Sequence, residues 1–556
     1  MQRLFSLAAV AGVLAGMLWA VATASASTPS PTPAMSIAWG PCSDPNLQAF
    51  NAQCGLLSVP LDYNNPNGAK IQIAVSRIAH TSSDYQGVIL TNPGGPGGSG
   101  LGLNPFLIAQ FQADGYGDAA GDYDWIGFDP RGVGSSVPAI SCDPNYLGPD
   151  RPNYIPFTHQ LLTTWLSRSQ GYARDCASQG AAQSALLRHM TTADSAKDMD
   201  SIRQALGQPQ ITYYGYSYGT YLGQVYGTLF PSHVRRMILD SNVDPRGVWY
   251  QDNLDQDVAF NRNINIWFAW LAQYNSVYHL GASEQAVART FYSTEAQLAF
   301  HPAGGVVGAD EWVDAFELPA YYQFFYTPWA QVFSDWVNYH DANATNELIN
   351  AYETSDGPGD DNEFAVYLGV QCSDVQWPTN WNTWSRDNWR IFSFAPFLTW
   401  GNAWFNAPCI YWPARASHPV NINGRGVSST LLIDETLDAA TPFTGSLEVR
   451  KLFPNSVLLA EPGGTTHAET PDGDLCVDGT IANYLATGAL PPRNNHAEWD
   501  KTCPPPPVPV PPAAVPAAAA KDKASARAAH LRARLVPPGQ SAESLARLGL
   551  PAAEIR

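Results

Sequence analysis

Two textures of apolar and polar positions divide this chain. Gly55–Tyr63 and Ile71–Ala79 alternate, which predicts two antiparallel strands joined by an Asn/Pro/Gly turn. Val88–Thr91, Trp125–Phe128, Ile211–Tyr214, Arg236–Leu239, Thr430–Ile433 and Ser456–Ala460 are short runs of the kind that form buried strands. Between them, Thr192–Leu206 and Tyr218–Leu229 carry helical spacing, the first stopping at Gly207. Strands alternating with helices predict an α/β fold on a mostly parallel, doubly wound sheet.

From about residue 246 to 400 the strand-like runs stop. Helical spacing dominates and aromatic residues crowd in, among them Trp249, Trp267, Phe268, Trp270, Tyr321, Tyr322 and Trp329. This predicts an inserted helical cap over the sheet, with most of these rings forming the cap's own core. The sheet domain is then split into residues 39–245 and 401–503. Residues 27–38 are a linker or short propeptide. Residues 504–556 begin with PPPPVPVPP and form a Pro/Ala-rich tail, expected as an extended spacer outside the body.

Charge and cysteines narrow the function. The formal net charge is −19 over 556 residues, which argues against a nucleic-acid partner because phosphate binding needs a basic footprint. Residues 1–26 read as a signal peptide: Arg3 precedes an apolar run that ends in Ala24-Ser25-Ala26. An uncleaved anchor is the competing reading of this segment. Eight cysteines suit an oxidising exterior. They allow 105 pairings, of which the nearest-neighbour set is expected: Cys42–Cys54, Cys142–Cys176, Cys372–Cys409 and Cys476–Cys503. No C-x-x-C pair or histidine cluster suggests a metal site. A secreted monomer without cofactor or stable membrane association is expected.

The chemistry centres on Gly215-Tyr-Ser-Tyr-Gly219, a G-x-S-x-G run between a predicted strand and a predicted helix. Such a turn pushes the Ser217 hydroxyl out at a helix N-terminus, as in the nucleophile elbow of α/β-hydrolases. A serine hydroxyl needs a base, and the base an orienting carboxylate. The chain order Ser, Asp, His of that fold selects Asp438 and His467, each in a loop after one of the last strands. Asp434 and Glu435 are rivals for the acid. The oxyanion donors are expected to be the N–H groups of Tyr218 and of Gly95, the latter in the glycine loop Asn92–Gly100. A phosphate-binding role for that loop lacks the Lys-Ser/Thr ending.

The segments NPGGPGGSG (92–100), GFDPRGVGSS (127–136), GYSYGTYLGQVYGTLFP (215–231), YQDNLDQDVAF (250–260) and LDAATP (437–442) resemble the secreted bacterial tripeptidyl aminopeptidases. These are prolyl-aminopeptidase-like serine peptidases of the α/β-hydrolase superfamily. The resemblance runs from about Trp39 to Cys503. It implies release of short peptides, typically tripeptides, from peptide substrates with free N-termini, and it supports the same triad position by position. Two features depart from the family: Ala-Glu follows His467 where a Gly is expected, and the Pro-rich tail has no counterpart.

An exopeptidase must also hold the substrate's amine. A carboxylate in the cap would serve, and Glu363 and Asp374 are the candidates, although a purely structural role fits either equally. A carboxylesterase or lipase would use the same triad. A non-catalytic binding protein is the reading from another class, and a complete triad speaks against it.

Overall fold

The computed structural model describes residues 36–356 and 359–512. The signal peptide, most of the linker and residues 513–556 lie outside the described residues. Among the described residues ten strands form one sheet: β1 Gly40–Pro41, β2 Gln53–Pro60, β3 Lys70–Ile78, β4 Val88–Asn92, β5 Asp124–Phe128, β6 Ile211–Tyr216, β7 Val234–Asp240, β8 Thr430–Glu435, β9 Ser456–Glu461 and β10 Lys501–Thr502. Their order is β1-β2-β3-β5-β4-β6-β7-β8-β9-β10. The three strands at one edge pair antiparallel, while β5, β4 and β6 to β10 run parallel. The expected first strand is shorter than predicted. It ends at Pro60 because Leu61 closes the turn on Ala69, and the Tyr63 hydroxyl reaches Asp198 and Ser201.

Side-chain alternation explains why the central strands read as continuous apolar runs. Leu90, Tyr213, Leu239, Leu432 and Leu458 enter the core on one face. Their neighbours Ile89, Tyr214, Ile238, Ile433 and Leu459 enter the core on the other. With helices over both faces, neither parity meets water, so polar alternation is lost. Helices Thr192–Ala205 and Tyr218–Leu229 cover the first face; Leu103–Ala113 and Leu475–Thr487 cover the second.

Strands β7 and β8 are hydrogen-bonded neighbours although far apart in sequence. The chain between them is a run of helices from Tyr250–Gln273 to Thr399–Asn406. Trp267, Phe268, Trp270, Phe291, Trp312, Phe325 and Trp329 make a separate aromatic core there. The cysteines pair Cys42–Cys54, Cys142–Cys176, Cys372–Cys409 and Cys476–Cys503. Among the described residues no helix is long and apolar enough to cross a membrane.

The start of the Pro-rich tail corrects the expectation of a spacer outside the body. Pro509 and Pro511 are buried, and the Trp270 indole N–H donates to the Pro509 carbonyl at 2.9 Å. The physical reason is a donor that would otherwise be stranded. Trp270 is 4% exposed among Tyr274, Tyr278 and Tyr326, and a proline carbonyl is a free acceptor in a segment with few N–H groups of its own.

Candidate active site

Strand β6 ends at Tyr216 and the next helix starts at Tyr218, so Ser217 alone makes the turn. Its φ of 54° and ψ of −126° are costly for a residue with a side chain. The flanking glycines make the turn possible. A Cβ on Gly215 would stand 2.5 Å from the Gly219 carbonyl oxygen, and one on Gly219 would stand 2.8 Å from that of Asn92. Ser217 N–H donates to the Asp240 carbonyl at 3.1 Å, and its own carbonyl accepts from Thr220 N and Oγ1 at 2.8 and 2.6 Å. The elbow is therefore fixed from both sides.

Asp438 follows β8 and His467 follows β9. The carboxylate Oδ2 lies 2.7 Å from His467 Nδ1, and both residues are buried. Asp438 Oδ1 accepts from the Ala440 and Thr441 amides at 2.8 and 3.1 Å, and the Thr441 hydroxyl donates to Oδ2 at 2.9 Å. The two rivals are engaged elsewhere. Asp434 accepts from the Ser446 hydroxyl, and Glu435 accepts from the Thr466 amide. Burial pushes both carboxyls well above the ordinary range, which favours their neutral forms.

The histidine loop is docked beside the elbow by β7. Ser241 Oγ accepts from Ala468 N–H at 2.7 Å, and Asp240 Oδ2 accepts from Thr470 N and Oγ1 at 3.0 and 2.6 Å. Tyr214 and Tyr216 hydroxyls donate to the Thr470 carbonyl. Asp240 thus touches both parts of the site, since its backbone carbonyl holds Ser217 and its side chain holds Thr470. Burial raises the Asp240 carboxyl to about 6. Sequence reasoning missed Asp240, Ser241, Thr441 and Thr470, because single Ser, Thr and Asp residues at strand ends carry no local signal of such contacts.

Ser217, Tyr218 and Gly95 line one cavity with cap residues Trp249, Phe260, Tyr321, Tyr367 and Phe405. Its carboxylates are Asp244, Asp252, Asp255, Asp314 and Glu317. Neither sequence candidate for the amine is among them. Asp374 is buried and already accepts from Thr192 N, Thr192 Oγ1 and the Trp249 indole at 2.7, 2.6 and 3.2 Å; burial raises it to about 7. Glu363 is exposed, with its backbone packed on Gly97. Asp252 and Asp255 stand three residues apart on one face of the helix Tyr250–Gln273, while Asp314 lies in the last turn of one short helix and Glu317 caps the start of the next.

Residues 87–465 match the family model of the alpha/beta hydrolase fold. The chain is 40% identical over 485 residues to the tripeptidyl aminopeptidase of Streptomyces coelicolor, covering 85% of this chain and 87% of that protein. It is 30% identical over 513 residues to serine protease Hip1 of Mycobacterium tuberculosis, covering 88% and 95%. It is 29% identical over 477 residues to carboxylesterase B of the same organism, covering 82% and 88%. With a serine elbow set in a parallel sheet and likeness extending through the helical insertion, this chain belongs to the α/β-hydrolase fold family and, within it, to the tripeptidyl aminopeptidase group of serine peptidases.

Proposed function

We propose that this protein is a secreted exopeptidase that removes tripeptides from free N-termini, with Ser217, His467 and Asp438 as its catalytic triad. Ser217 Oγ attacks the scissile carbonyl carbon while His467 Nε2 takes the hydroxyl proton. The tetrahedral oxyanion is met by the N–H groups of Tyr218 and Gly95. The C–N bond breaks, His467 gives its proton to the leaving amine, and water then hydrolyses the acyl-enzyme by the same base. Asp438 holds Nδ1 and so leaves Nε2 for the transfer.

One observation carries this reading: the serine elbow lines a cavity whose cap wall bears carboxylates, beside a buried Asp–His pair 2.7 Å apart. Among those carboxylates we assign the substrate ammonium to Glu317. It stands on the cavity wall one helical turn before Tyr321, whose ring centroid lies 5.8 Å from that of His467. An anchor at a set distance from Ser217 counts residues from the N-terminus. Four disulfides and the A-x-A segment support export.

The test compares a chromogenic tripeptide amide with its N-acetylated form. Much faster cleavage of the free form is expected, and equal cleavage of both removes amine anchoring. The carboxylesterase relative favours a second reading, an esterase on the same triad. Turnover of p-nitrophenyl esters without any peptide amide turnover would select it.

A further inference from the structure

The helix Tyr250–Gln273 is tied directly to the loops that carry Asp438 and His467. Asn263, fully buried, aims its side-chain nitrogen at three backbone carbonyls. They belong to Ala320 in the cap (3.1 Å), Leu437 beside Asp438 (3.0 Å) and Thr465 just before His467 (3.3 Å). Its side-chain oxygen accepts from Arg262 Nε at 2.9 Å. Arg262 Nη2 in turn donates to the carbonyls of Leu437 and Asp438. On the same helix, Gln256 Nε2 donates to the Ala440 carbonyl at 2.6 Å. From the cap's Leu318–Tyr321 helix, the Tyr321 carbonyl accepts from His467 N–H at 3.0 Å.

The chemistry of this junction is asymmetric. Loops that leave a sheet carry carbonyls with no ladder partner, and buried carbonyls need a donor. A primary amide has two hydrogens on one nitrogen, so it can bridge acceptors from separate segments. Here one amide spans the acid loop, the histidine loop and the cap. We propose that Asn263 is a positioning residue that sets the spacing of the Asp438 and His467 loops, so that the cap helix is a working part of the triad and not a lid free to lift away. The inference rests on the triad reading above. It requires substrate to enter past another part of the cavity rim, since raising this helix would release both loops.

The test uses the full-length protein with Asn263→Asp and Asn263→Ala, and Ile264→Ala as a control. Asn263→Asp keeps the shape but turns a donor into an acceptor facing carbonyl oxygens. Ile264 is equally buried in the cap core and touches neither loop through a polar group. Both Asn263 variants are expected to lower kcat about 10- to 100-fold, by analogy with losing a partner that orients a metal-binding side chain. KM for a chromogenic tripeptide changes little, and labelling of Ser217 by a fluorophosphonate slows in parallel. Ile264→Ala lowers Tm while the folded enzyme keeps its kcat. If neither Asn263 variant folds, Arg262→Met removes the second donor to the Leu437 carbonyl and the donor to that of Asp438, and is expected to lower kcat in the same direction. Variants that lose stability but keep kcat overturn the proposal. Ser217→Ala separates the two ideas: retained turnover in it would sink the triad, whereas an inert Ser217→Ala beside fully active Asn263 variants would sink only the positioning role.

Discussion

His467 Nδ1 and Asp438 Oδ2 stand 2.7 Å apart, and the Thr441 hydroxyl lies against both, at 3.3 and 2.9 Å. The carboxylate acts as an acceptor that selects the Nδ1–H tautomer. Asp438→Asn would present an N–H to Nδ1 and favour the wrong tautomer without changing shape. We expect kcat to fall about 10⁴-fold, as such a change does in serine peptidases, with the fold intact. Steady-state kinetics with a tripeptide amide and a thermal melt check this together; turnover within tenfold of the parent would remove Asp438 from the triad.

Glu317→Gln tests the amine anchor. Hydrogen bonds to charged groups contribute about 1.5–3 kcal/mol, and tenfold corresponds to about 1.4 kcal/mol. We therefore expect kcat/KM for free tripeptide amides to drop roughly 10- to 150-fold. A slow residual reaction on the N-acetylated substrate should be unchanged. A loss found with Asp252→Asn in place of Glu317→Gln would move the anchor to the helix Tyr250–Gln273.

Glu435 and Glu461 are register partners in β8 and β9, and Glu461 is 3% exposed. Burial, with Asp472 nearby adding repulsion, raises Glu461 to about 9. The folded state thus keeps a proton that the unfolded chain releases near pH 4.3. Stability from this group is full below that pH and declines as pH rises toward 9. Glu461→Gln should flatten the decline, giving a higher Tm than the parent at pH 8–9 and little difference at pH 4. A parallel pair of Tm–pH curves would refute the assignment.

The Pro509 contact predicts a stabilising role for the first residues of the tail. A chain ending at Cys503 loses the acceptor for the Trp270 indole, and a stranded buried donor costs about 1–3 kcal/mol. A chain ending at Pro512 keeps the Pro509 carbonyl and should be more stable than the chain ending at Cys503. Trp270→Phe should cost less in the Cys503-terminated background than in the full chain, because the donor there has already lost its partner. Equal costs in denaturant titrations would show that the contact carries no energy.

Much of this molecule was legible in the order of its residues. Strand runs and helical spacings marked the sheet, since a parallel sheet buried on both faces needs continuous apolar strands and its crossovers need helices. Gly215-x-Ser-x-Gly219 marked the elbow, because at 2.5 Å from a carbonyl no side chain fits. The chain order of Ser217, Asp438 and His467 came from the same local motifs. The partners of buried polar groups were not legible. Asp374 and Glu363 were the carboxylates expected to hold an amine, yet Asp374 is engaged by Thr192 and Trp249 and neither residue lines the cavity. Asn263 had no motif at all. Local patterns report what a residue does to its own backbone. Which carboxylate meets the cavity, and which amide ties the two loops together, depends on segments brought together only when the chain folds, and so the tertiary structure alone decided them.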